Sequence, residues 1–244
     1  MKTIRLIIAA VFLPGMLMAQ PSGDEILKRI DRNMASDSRH IVSKMVIHGV
    51  RTDRTIVSES WSVGEDSAYT EYLSPEREKG TKMLRLDDKL WVFSPGTDRT
   101  IQLAGHMLRK SVMGSDLSYE DMMNDPNLRN KYDAVVTESE KYQDTDCWVL
   151  ELTANSPDVS YYMRKIWVDK SKYIPLKEEL YAKSGTLLKR TEISDIKKIG
   201  NRWYPGKITF KDMLMKGDGT EFIIEKIDFD VKVPEHLLSK AALR

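Results

Sequence analysis

Ser115, Asp116, Tyr119 and Asp121 follow one another in the order Ser-Asp-x-x-Tyr-x-Asp. A hydroxyl beside carboxylates is the raw material of a hydrolytic site, the carboxylate acting as base and the hydroxyl as nucleophile. The nearest histidine is His106, and nothing in the spacing gives it a defined geometry toward these four. Together with Gly114 they read more simply as a turn leading into a helix cap, because Ser and Asp side chains satisfy the free amides of a first turn. The chain has no G-x-S-x-G elbow, H-E-x-x-H pair, Walker loop or G-x-G-x-x-G. His40, His48, His106 and His236 are scattered without a metal-ligand spacing, and Glu65-Asp66, Asp87-Asp88 and Glu178-Glu179 read as solvated charge. The expectation is a protein that is not an enzyme and needs neither metal nor cofactor.

A second kind of chemistry is the holding of apolar matter. Met107, Leu108, Val112, Met113, Leu117, Met122 and Met123 crowd into the segment from Ala104 to Arg129, between Gly105 and Gly114 and the helix-stopping Pro126. Methionine is soft and unbranched, so such a segment either packs a core or forms a lid that repacks around greasy ligands. Trp61, Trp91, Phe93, Trp148 and Trp167 all lie in strand-like runs, and Trp91 and Phe93, two apart, share one face. They either fill the space between sheet and helices or line a container for acyl chains.

The elements that must position these residues are mostly strands. Ser22 and Glu25 have capping-box spacing, and Ile26, Leu27, Ile30 and Met34 then recur at helical intervals, which predicts one amphipathic helix. From about residue 40 the period changes to two. Runs at 41–50, 54–64, 67–73, 81–86, 89–94 and 99–103 precede the Met-rich segment. Runs at 131–142, 146–154, 160–169, 175–183, 186–199, 202–213 and 220–232 follow it. Within the segment, Ser118 and Asp121 predict a short capped helix. Asp87-Asp88, Ser184-Gly185, Gly200-Asn201 and Gly217-Asp218-Gly219 supply turns. A continuous meander of this size must curl or close, so the expected fold is an open barrel of about eleven antiparallel strands, its concave side filled by the helix and the Met-rich segment. Residues 20–244 are expected to form one domain.

Lys2 and Arg5, the apolar run Leu6 to Leu13, and Pro14-Gly15 leading to Ala19 have the layout of a cleavable export signal, with cleavage after Ala19. The run is too short to span a bilayer. Gln20 stands where a lipoprotein needs its acylated Cys, so the expected product is periplasmic and carries no lipid of its own. The single cysteine, Cys147, leaves no disulfide partner within the chain and reads as a small packed residue. The chain has 38 basic and 37 acidic residues, and removal of Lys2 and Arg5 leaves 36 against 37. Such a balance makes no case for nucleic acid or an anionic membrane as partner.

The run from Lys79 to Met123 resembles the central signature of the outer-membrane lipoprotein-sorting family, the LolA-like periplasmic carriers. Gly80-Thr81-Lys82-Met83-Leu84 leading to Leu90-Trp91-Val92-Phe93-Ser94-Pro95, and Met113-Gly114-Ser115-Asp116 leading to Ser118-Tyr119-Glu120-Asp121, carry most of the likeness. Gly200-Asn201-Arg202-Trp203-Tyr204-Pro205, Ile208-Thr209 and the stretch from Val233-Pro234 to Leu243 extend it to the C-terminus. Where the family often has a basic cluster after Pro95, this chain has Gly96-Thr97-Asp98-Arg99.

The resemblance implies an incomplete β-barrel around a hydrophobic cavity and a carrier of lipoprotein acyl chains or lipid. The implied partners are an inner-membrane transporter and an outer-membrane acceptor. Some relatives instead sense envelope lipid for a membrane protein partner, which is the alternative function. The cavity would be lined by Trp61, Met83, Trp91, Phe93, Leu103, Met107, Met113, Met122 and Met123, with Gly114, Ser115, Asp116, Tyr119 and Asp121 in the lid or its turn.

Overall fold

A computed structural model describes residues 20–123, 128–157 and 159–244. The export signal and Pro126 lie outside the described residues. Helix α1 spans Gly23–Met34, and Ser22 and Glu25 close the expected capping box reciprocally, with the Glu25 amide donating to Ser22 Oγ at 3.2 Å and the Ser22 amide to Glu25 Oε2 at 2.8 Å.

Six strands follow: β1 Ser38–His48, β2 Arg54–Val63, β3 Ser67–Ser74, β4 Lys82–Leu86, β5 Lys89–Ser94 and β6 Arg99–Leu103. A short helix α2, Tyr119–Met123, interrupts the series. The remaining strands are β7 Tyr132–Tyr142, β8 Thr145–Ala154, β9 Met163–Asp169, β10 Pro175–Tyr181, β11 Leu187–Ile199, β12 Arg202–Asp212 and β13 Gly219–Phe229. Thirteen strands form where about eleven were expected, because each alternating run ends in its own turn and none merges with its neighbour.

The sheet is antiparallel and open, in the order β6-β5-β4-β3-β2-β1-β13-β12-β11-β10-β9-β8-β7. It is therefore two meanders rather than one, joined where β1 pairs with β13. The sequence neighbours β6 and β7 are its two free edges. The described parts of the connection between them, residues 104–123 and 128–131, pack against one face of the sheet.

That face, called inner below, is set by the period of two. In β8, Leu150 and Leu152 pack against Ile26 and Leu27 of α1, whereas Cys147 and Val149 pack into a separate cluster with Trp167. Helix α1 lies close to the sheet edge: a Cβ on Gly23 would come 2.4 Å from the Ala134 carbonyl oxygen of β7, so only glycine permits this approach. In β4 and β5, Met83, Leu90 and Val92 face the inner cluster, while Leu84 and Trp91 face the opposite, outer side. On the outer side the C-terminal turns at 235–238 and 240–243 cover them with Leu237, Leu238 and Leu243. No helix among the described residues is long and apolar enough to cross a membrane.

Candidate functional site

The segment from Gly105 to Met123 lies over the half of the inner face that α1 leaves open. Met107, Leu108, Met113, Tyr119 and Met123 pack against a cluster of Met45, Ile47, Ile56, Tyr72, Met83, Leu90, Val92, Leu103 and the segment's own Val112. The chain's own methionines thus occupy the apolar surface that this half of the inner face offers.

A polar latch holds the segment down. Asp116 is only 8 % exposed. Its Oδ2 accepts from Thr220 Oγ1 of β13 at 2.8 Å, and its Oδ1 accepts from the Asp212 amide of β12 at 2.9 Å. Its own amide donates back to Thr220 Oγ1 at 3.0 Å. Arg54 of β2 donates to the Met113 carbonyl, and Gly114 turns the chain there with φ +73°.

Ser118 and Asp121 form the expected cap, with the Ser118 amide donating to Asp121 Oδ2 at 2.8 Å and the Asp121 amide to Ser118 Oγ at 3.1 Å. The same carboxylate receives Tyr161 Oη at 2.5 Å and an ion pair from Lys189 of β11, whose Nζ also donates to the Asp116 carbonyl at 3.0 Å. Ser115 is buried, and its Oγ sits 3.4 Å from the Leu117 carbonyl. The hydroxyl and carboxylates that could have served hydrolysis are engaged in this latch, and among the described residues none of them bonds to a histidine.

Burial pushes the Asp121 carboxyl up, but the Lys189 charge and hydrogen bonds from Lys189, Tyr161 and Ser118 outweigh it and hold the group below the ordinary aspartate value of 3.8. A depressed pKa contributes stability that is complete above 3.8 and lost as pH falls through the lower folded value. An apolar fluorescent dye should therefore find the latch closed from pH 7 down to about pH 4 and opening below that. An Asp121→Asn variant should show the open level at every pH. Equal dye binding by both proteins at neutral pH would remove Asp121 from the latch.

The nine sequence-derived lining residues do not form one group. Met83, Leu103, Met107, Met113 and Met123 meet on the inner face. Trp61, Trp91 and Phe93 lie on the outer face with the C-terminal turns, because β5 sends Leu90 and Val92 inward and Trp91 and Phe93 the other way. Met122 is exposed.

Two cavities flank α2. The larger, about 860 Å³, lies between the latch and the β7–β9 edge, and Leu117, Met123, Leu128, Val159, Leu188 and Met215 line it. It is no plain apolar pocket, since Arg164 and Lys189 also reach it. Arg164 is buried and pairs with Glu178 at 3.0 Å. The smaller cavity, about 170 Å³, opens on the other side of α2, and Met123 lines both. Sequence reasoning missed Arg54, Tyr161, Arg164, Lys189 and Thr220. The available signal was a charged residue in an inward strand register, as at Arg164, two before Ile166 and four before Val168.

A family model whose description reads "-like: Uncharacterized protein" matches residues 64–244. No curated protein matches the chain. Among solved structures, a domain assigned to outer membrane lipoprotein-sorting proteins from Vibrio parahaemolyticus is similar at TM-score 0.80 and 24 % identity, covering 91 % of this chain and 97 % of that one. A DUF1329 family protein from Desulfovibrio piger is similar at TM-score 0.82 and 24 % identity over 91 % of this chain and 98 % of its own. A LolA superfamily protein from Nitrosomonas europaea is similar at TM-score 0.75 and 23 % identity over 91 % and 100 %. The chain belongs to the family of that model, and its open antiparallel sheet has the fold of the lipoprotein-sorting domain and of the LolA superfamily.

Proposed function

We propose that the protein is a periplasmic carrier, not an enzyme, that takes acyl chains of lipoproteins or lipids beneath the segment 105–123 and moves them toward the outer membrane. One observation carries the reading: a Met-rich segment covers the inner apolar cluster, yet a small set of polar contacts fixes it there rather than continuous strand pairing. Such a cover can lift as a unit.

The energetics suit a shuttle. Burying a CH₂ group contributes about 0.8 kcal/mol, so a sixteen-carbon chain offers roughly 12 kcal/mol of gross driving force before ordering costs. In the closed state the segment's own methionines fill the same ground, so a ligand gains only the difference between its contacts and theirs. Binding is thereby reversible, and reopening the latch returns the cargo. Leu214, 71 % exposed, and Met215 sit on the β12–β13 turn and also line the larger cavity, which puts greasy side chains at its rim where cargo would leave.

The test is transfer of a fluorescent acyl probe from donor to acceptor vesicles. The wild-type protein should accelerate it. The Met113→Ala, Met122→Ala, Met123→Ala triple variant should weaken probe capture about tenfold, the equivalent of about 1.4 kcal/mol, with its melting temperature little changed. Unchanged affinity in that variant removes the segment from the binding account. Tight binding without transfer supports the sensor alternative instead.

A further inference from the structure

We infer that the cargo is an anionic amphiphile whose phosphate or carboxylate head is held by Arg39 and Arg85 in the smaller cavity. The inference rests on the carrier reading and names the class of its ligand. Arg39 lies opposite Ser62 of β2 and Phe229 of β13 and has the same parity as Ile41, Ser43, Met45 and Ile47, which puts it on the inner face. Its Nε is buried and has no hydrogen-bond partner. Among the described residues it makes no ion pair. Arg39 as a whole is half-buried, so part of its charge stays hydrated, but its inward Nε is left without an acceptor, and a packed Met or Leu in that register would serve stability alone at least as well. The missing partner is an anion.

Arg85 of β4 faces the same cavity, and its own bonds are weak. Its Nε donates to the Asp87 carbonyl at 3.2 Å, and its Nη2 stands 3.7 Å from the carboxylate of Asp66, an exposed residue. Among the described residues the only carboxylate lining the cavity is Glu65, which is exposed. Ser62, Ser67 and Thr70 add hydroxyls, and guanidinium forks suit carboxylate and phosphate oxygens bidentately.

At about 170 Å³ the cavity holds a headgroup rather than a chain. Its other wall is Met83, Leu90, Met122 and Met123, so whatever seats an anion there meets apolar side chains immediately beside it. Met123 also borders the larger cavity, which makes its flexible side chain the gate through which a tail passes under α2. An anion with a tail satisfies both walls, whereas a free anion leaves the methionines without purpose.

The experiment uses the mature chain with two probes, 11-(dansylamino)undecanoic acid and its methyl ester, and with inorganic phosphate as competitor. The wild type should bind the acid at least tenfold more tightly than the ester. Arg39→Gln with Arg85→Gln should remove that preference and leave ester affinity unchanged. Millimolar phosphate should displace little acid. Because Arg39 has no ion-pair partner among the described residues and its Nε has no acceptor, Arg39→Met without ligand should melt no lower than the wild type, which a structural arginine would not allow.

Equal affinities for acid and ester in the wild type would overturn the inference while leaving the carrier reading intact. So would equal losses for both probes in the double variant. Displacement of the acid by phosphate at the acid's own concentration would make the site one for free anions and would overturn the amphiphile. Failure of both probes to bind the wild type would remove the carrier reading, and this inference with it.

Discussion

An Asp116→Ala variant is expected to lose about 3 kcal/mol of stability and to release the segment 105–123 before the sheet unfolds. The carboxylate receives two donors in a largely buried place, the Thr220 hydroxyl and the Asp212 amide, and leaving each without a partner costs about 1–3 kcal/mol. Asp116 borders the larger cavity, so water can repair part of the damage and the sum falls short of the maximum. For a chain of this length that corresponds to a fall in melting temperature of roughly 6–12 °C. Asp116→Asn should cost less, because the Thr220 hydroxyl can accept from the new amide as readily as it donated to the acid. Hydrogen exchange locates the effect: amides of residues 112–122 should lose protection while those of β8 and β9 keep theirs. Uniform loss across the sheet would mean that Asp116 supports the whole fold rather than a separable cover.

The latch shows where sequence reasoning reaches and where it stops. The cap on α2 depends on two residues three apart, so Ser118 and Asp121 could be paired from spacing alone. Thr220 lies 104 residues from Asp116, and only the pairing of β1 with β13 brings that threonine beneath the segment. The thirteen runs were visible because alternation is local. Their order was not, because the turns tell each strand its neighbour but say nothing about β1 meeting β13 or about β6 and β7 becoming opposite edges.

Composition was equally one-sided. It marked the methionines as a coherent group, and five of the nine proposed lining residues do meet on the inner face. The aromatic set went elsewhere because a period of two fixes which residues share a face, not which face is covered by what. Arg39 escaped notice for a related reason. Its inward register follows from Ile41 and Met45, but its lack of a counter-charge is a property of everything around it.

The separation of faces makes the second large prediction. Trp91→Ala should cost about 3–5 kcal/mol, the usual range for truncating a buried tryptophan, and leave the acyl-probe affinity of the folded protein unchanged. Trp91 is 7 % exposed among Tyr69, Leu84 and Leu243, with the Lys240 ammonium 4.4 Å from its ring centre. Lys82 ties the C-terminal turns over it by donating to the carbonyls of Ala242 at 3.0 Å and Arg244 at 3.1 Å. Truncation opens a hole under those turns, which then have little apolar ground to rest on. Nothing in that chain of contacts touches the inner cluster, since β5 sends Leu90 and Val92 into that cluster and Trp91 and Phe93 to the opposite face. The Met113, Met122, Met123 triple variant should behave in the opposite way, losing capture and keeping its melting temperature. The sheet thus divides stability and binding between its faces. Measuring both quantities on both variants tests that division: a Trp91→Ala protein that melts normally but fails to hold the probe would return the aromatic residues to the binding site and place the cavity on the other side of the sheet.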